Sequence, residues 1–137
     1  MNPNFLRIYE QWHEHARGRN CAALIQLYAE DATLESPLVP VILNQARGVL
    51  VGRAEILRFL EEGTRRRPNE LVRWYRDGSY LTRGDTLMWE YPRQTPEGEQ
   101  IDILEVMQLK DDLIWRHRIY WGWLGTELLR ANARSQG

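Results

Sequence analysis

Three residues in the second half of the chain have the types and spacing to move protons. Glu90, Glu105 and His117 fall in successive segments, 85–92, 100–110 and 113–123, each rich in β-branched and aromatic residues. Pro96-Glu97-Gly98 and Lys110-Asp111-Asp112 separate those segments as turn signals. Connections this short imply antiparallel neighbours. With Glu97-Gly98 as a two-residue hairpin turn, Glu90 falls opposite Glu105 and Met88 opposite Met107. With Lys110-Asp111-Asp112 as a three-residue loop, Glu105 falls opposite His117 and Met107 opposite Trp115. Directly opposed residues share a sheet face. One face then gathers Met88, Glu90, Glu105, Met107, Trp115, His117, Ile119 and Trp121, while Val106, Arg118 and Tyr120 take the other. The first set is the more apolar and is expected to face inward.

Polar groups on an inner face are costly unless paired. Two opposed carboxylates resist ionising together, and an imidazole beside them can compensate. A carboxylate–carboxylate–imidazole group is what proton transfer near neutral pH requires. The same three residues could instead form a satisfied ion-pair network. A slip of one residue would also flip a strand's whole face.

The elements that position these residues follow from periodicity. Residues 3–17 read as a helix with Phe5, Ile8, Tyr9, Trp12 and Ala16 on one face, ended by Gly18. Asn20 can cap a second helix over 21–28. A short strand over 32–35 runs into Ser36-Pro37. Segment 37–51 is apolar but broken by prolines and Gly48, so it is expected to cover something as an irregular loop. A third helix over 53–62 stops at Gly63. Helices first and strands after make an α+β domain, with helices on one face of a mostly antiparallel sheet.

Composition bounds the partners. The 137 residues suit one domain, 1–137, with 1–2 and 126–137 as frayed tails. A net charge of −1 argues against sequence-independent nucleic-acid binding. No apolar run approaches a membrane span and no signal-peptide core opens the chain, so a cytoplasmic protein is expected. The lone Cys21 forms no internal disulfide. His13 and His15 match no metal motif and read as surface residues, and phosphate loops and zinc spacings are absent. No metal or cofactor is therefore expected.

The chain resembles the nuclear transport factor 2-like, or SnoaL-like, superfamily, whose well-understood relative is ketosteroid isomerase. The resemblance rests on Leu27-Tyr28-Ala29-Glu30-Asp31-Ala32-Thr33-Leu34-Glu35-Ser36-Pro37, on Gly52-Arg53-Ala54-Glu55-Ile56, on Ile101-Asp102-Ile103-Leu104-Glu105-Val106-Met107 and on Ile119-Tyr120-Trp121. It implies a cone-shaped curved sheet around a pocket, and a homodimer through the outer sheet face bearing Val106, Arg118 and Tyr120. Carried over by position, the isomerase base falls on Ser36, its tyrosine on Trp12 and its second acid on Glu105. Serine alone is not a competent base, and an indole N–H cannot protonate an enolate as a phenol can, so the steroid isomerase mechanism does not transfer. What the resemblance and the residues together imply is cofactor-independent isomerisation, cyclisation or dehydration of a small apolar or aromatic molecule. Glu105, His117 and Glu90 would do the chemistry, and Tyr9, Trp12, Ser36, Met88, Met107, Trp115, Ile119 and Trp121 would line the pocket. A non-catalytic ligand-binding or dimerisation module on the same fold is the alternative.

Overall fold

The computed structural model describes residues 4–66, 73–74, 79–94 and 97–136. Helix α1 (Asn4–Arg17) buries Phe5, Ile8, Tyr9, Trp12 and Ala16, the stripe its periodicity predicts. His13, expected at the surface, is buried too, because Tyr9, Trp12 and Trp89 pack around its ring. The Asn20 side chain caps α2 (Cys21–Leu24), accepting a hydrogen bond from the Ala23 N–H at 3.0 Å. A 3-10 turn over Ile25–Leu27 follows, and β1 (Tyr28–Glu35) starts at the residue expected to end a helix.

Segment 37–51 is not an irregular loop. It forms α3 (Val39–Leu43), with a proline in its first turn, and β2 (Val49–Val51), which pairs antiparallel with β1. Its apolar residues cover the core: Val39, Ile42, Leu43 and Leu50 are buried. Helix α4 (Arg53–Arg66) runs through Gly63, where it was expected to stop. Glu62 pairs with both Arg65 and Arg66 across that glycine, and such spacings support the final turn.

The strands β3 (Arg73–Trp74), β4 (Leu81–Arg83), β5 (Thr86–Gln94), β6 (Gln100–Lys110) and β7 (Leu113–Trp121) complete the curved sheet. The sequence also reads as strand over 71–82, with Asp77-Gly78 as a turn signal, and much of that segment lies outside the described residues. The strand order is β2-β1-β7-β6-β5-β3, with β4 on β5. Strands β1 and β7 run parallel, and the remaining pairs are antiparallel. Residues 126–137, expected as a tail, belong largely to α5 (Trp123–Gln136). Leu124 and Leu128 pack on the core and Leu129 is buried, which anchors that helix.

Two registers differ from expectation, with different consequences. On β5 and β6, Glu90 pairs with Leu104 and Trp89 with Glu105, so the strands are one residue out of step with a two-residue turn. The paired ends are Gln94 and Gln100. This odd slip flips β5: Leu87, Trp89 and Tyr91 are buried, whereas Glu90 is exposed and Met88 pairs with Val106 on the other face. On β6 and β7, the turn is Asp111-Asp112, with Asp111 at φ 61°, and a bulge falls at Trp115. Turn and bulge together move the register by an even step, so Glu105 and His117 keep a common face. Met107, rather than Glu105, stands directly opposite His117.

The cover over β1 is tightly seated. The Ser36 N–H donates to the Gly48 carbonyl at 2.9 Å, and a Cβ on Gly48 would meet the Ser36 carbonyl oxygen at 2.8 Å. That oxygen is backbone and cannot swing aside. Gly48→Ala is therefore expected to destabilise the fold by about 1–3 kcal/mol, read as a lower urea midpoint.

Candidate functional site

The centre of the inner sheet face holds a chain of hydrogen bonds that crosses five elements. Glu105 on β6 and His117 on β7 lie with Oε1 and Nε2 2.6 Å apart, and both residues are buried. The second carboxylate oxygen, Oε2, accepts from the Tyr91 hydroxyl of β5 at 2.7 Å. On the far side of the imidazole, Nδ1 is 2.8 Å from the Tyr28 hydroxyl oxygen of β1. Trp12 of α1 donates its indole N–H to that same oxygen at 3.4 Å. Each polar atom of the Glu105–His117 pair thus has a partner, as burial demands.

The surroundings are aromatic and dry. The Trp12 ring stands edge-on to His117 at 6.2 Å between centroids, and Trp12 and Trp89 are 5.7 Å apart. Tyr9 packs against His13, Tyr80 and Trp89. Burial pushes the Tyr28 hydroxyl well above the ordinary tyrosine range, so it stays protonated. Arg93, two residues beyond Tyr91 on β5, is pulled below its ordinary value by burial, against the fields of Tyr91 and Glu105. Among the described residues no three His, Cys, Asp or Glu side chains are placed to hold a metal ion.

Of the residues singled out from the sequence, Glu105, His117, Met107, Trp12 and Tyr9 come together in or around this centre. Glu90 does not join it: the slipped register sends it to solvent. Met88 is on the outer face for the same reason, and Trp115 sits at the bulge, only partly buried. Ser36 is buried, but its hydroxyl oxygen accepts from the Leu38 N–H at 3.1 Å and so caps the turn into α3. Ser36, Ile119 and Trp121 line a cavity of about 480 Å³ between the ends of β1 and β7 and the helices α3 and α5. Ile119 stands directly opposite Glu105 in the sheet, and neither Glu105 nor His117 is among the residues that line the cavity.

Two partners went unread in the sequence. The helix expected over 21–28 takes in Tyr28, and the expected register of Glu90 opposite Glu105 leaves Tyr91 on the outer face. Alternation carried a usable signal for the second: Leu87, Trp89 and Tyr91 form a bulkier apolar set than Thr86, Met88 and Glu90.

Removing the carboxylate strands His117 and Tyr91 in a dry interior. Glu105→Ala is expected to cost roughly 3–5 kcal/mol of stability, and Glu105→Gln clearly less, because an amide still offers an acceptor. Paired urea denaturation curves measure both.

Comparison with known proteins places this architecture. No curated protein matches the sequence. A SnoaL-like protein of unknown function from Burkholderia thailandensis superposes with a TM-score of 0.70 at 18% identity, covering 90% of this chain and 98% of its own. A steroid delta-isomerase from Pseudomonas aeruginosa superposes with a TM-score of 0.70 at 15% identity, covering 99% and 93%. TerC, crystallised with polyporic acid, superposes with a TM-score of 0.69 at 16% identity, covering 92% and 97%. These likenesses establish the fold. The sequence model of the SnoaL-like domain matches residues 9–117, and the chain therefore belongs to the SnoaL-like domain family, with a nuclear transport factor 2-like fold.

Proposed function

We propose that the protein catalyses proton transfer on a small, largely apolar or aromatic molecule, with Glu105 and His117 as the working pair. The observation that carries this reading is the 2.6 Å contact between a buried carboxylate and a buried imidazole inside an aromatic wall. Such a pair is structurally expensive, and acid–base chemistry is a reason to keep one. Tyr91 and Tyr28 hold its two ends. The cavity beyond Ile119 is of a size suited to a small ligand. Its lining includes Pro37, Pro40, Val49 and Trp121, which favours an apolar guest. Among the described residues the indole nitrogen of Trp121, which lines this cavity, is buried without a hydrogen-bond partner, so it is a spare donor for a ligand acceptor. One fold neighbour was crystallised with polyporic acid and another is a steroid delta-isomerase, which makes this class of ligand reasonable. The proposal invokes no cofactor. Isomerisation, cyclisation and dehydration all begin or end with such a transfer.

A ligand-binding module is the second reading, and one observation favours it. Both carboxylate oxygens, both imidazole nitrogens and the Ser36 hydroxyl already have protein partners. We further propose that copies pair through the outer face, where Tyr120 and Leu81 are 46% and 70% exposed.

Exchange of carbon-bound hydrogen for deuterium separates the two functional readings. In D2O, the wild-type protein is expected to speed exchange beside the carbonyl of benzo-fused ketones such as 2-tetralone. Glu105→Gln, still folded, should lower that rate about 10²–10⁴-fold. Binding of these ketones with no exchange above the buffer rate would favour the module.

A further inference from the structure

The direction of each hydrogen bond around His117 can be worked out from what its neighbours are able to give. An indole nitrogen only donates, so the Tyr28 oxygen accepts from Trp12. The Tyr28 proton must then go to another acceptor. Tyr28 is fully buried, and the acceptor in place is His117 Nδ1 at 2.8 Å. A nitrogen that accepts carries no proton. His117 must therefore bear its proton on Nε2 and donate it to Glu105 Oε1 at 2.6 Å. Glu105 receives a second donor, the Tyr91 hydroxyl, at Oε2. Both oxygens of the Glu105 carboxyl group therefore accept, and neither donates.

The alternatives each leave a buried group unmet. If His117 were an imidazolium, Nδ1–H would donate to Tyr28, whose own proton would lose its acceptor. If Glu105 held the proton and gave it to Nε2, the neutral ring would carry its hydrogen on Nδ1, and Tyr28 would be stranded again. Each stranded donor carries a desolvation penalty. The other titratable groups nearby are Arg93, whose field reaches Glu105, and His13, which packs on Trp12.

We propose that Tyr28, oriented by Trp12, fixes His117 as the neutral ring protonated on Nε2, so that the resting Glu105–His117 pair is a proton acceptor. Tyr28 is a positioning residue here.

Long-range ¹⁵N–¹H correlation spectra of the histidine rings test the assignment on the whole protein, without any ligand. In the wild type near neutral pH, His117 is expected to show a bare Nδ1 and a protonated Nε2. Tyr28→Phe deprives the neutral ring of its donor at Nδ1. The Nδ1 resonance should then move downfield, toward that of a bare ring nitrogen with no hydrogen bond. A wild-type ring protonated at Nδ1, or an unchanged Nδ1 resonance in Tyr28→Phe, would overturn the proposal. The wild-type spectrum decides the tautomer even if Tyr28→Phe does not fold. Because the readout is the ring itself, absence of ketone exchange beside the expected spectrum would reject the catalytic reading and leave the tautomer assignment standing.

Discussion

Burial of one carboxylate and one imidazole in an aromatic interior is the constraint that organises this fold. Neither Glu105 nor His117 could be buried alone at tolerable cost. Each needs its neighbour, and each needs a further hydroxyl group to complete its hydrogen bonds. Those hydroxyls come from Tyr91 on β5 and Tyr28 on β1, and Trp12 on α1 orients the second. Four strands and the first helix must therefore be placed correctly at once. A polar cluster of this kind specifies register as much as it supports chemistry, since a one-residue slip on any strand would strand a buried group.

The cover over the sheet has a different logic. Segment 37–51 folds back as α3 and β2, tied at Ser36 and Gly48, and α5 closes from the other end. Between them lies the cavity that Ile119 helps to line, while Glu105 and His117 are buried and outside its lining. Burial strengthens the electrostatic contact between those two residues.

How far the sequence could be read depended on which signal each element carries. The stripe of α1, the Asn20 cap and the run of strands are local patterns, and they came through. So did the shared face of Glu105 and His117, although for an incomplete reason. The shorter turn and the bulge at Trp115 each shift the register by one residue in the same direction, a net step of two that leaves the face unchanged. On β5 nothing compensated, and Glu90 and Met88 went to the wrong face. Turn length and bulges are tertiary facts with weak local signatures. Segment 37–51 was opaque because two prolines and a glycine mask a short helix, and Tyr28 because a 3-10 turn leads straight into its strand. The tail became α5 because Leu124, Leu128 and Leu129 find the core, a contact that no local pattern announces.

The most direct test of the central contact is the one-dimensional proton spectrum of the protein in water, far downfield of the amide region. A buried imidazole N–H donated to a carboxylate at 2.6 Å is expected to give one solvent-protected resonance there, absent from both Glu105→Gln and His117→Ala. A wild-type spectrum with no such resonance, or one in which it survives the loss of Glu105, would contradict the pairing on which the whole account stands.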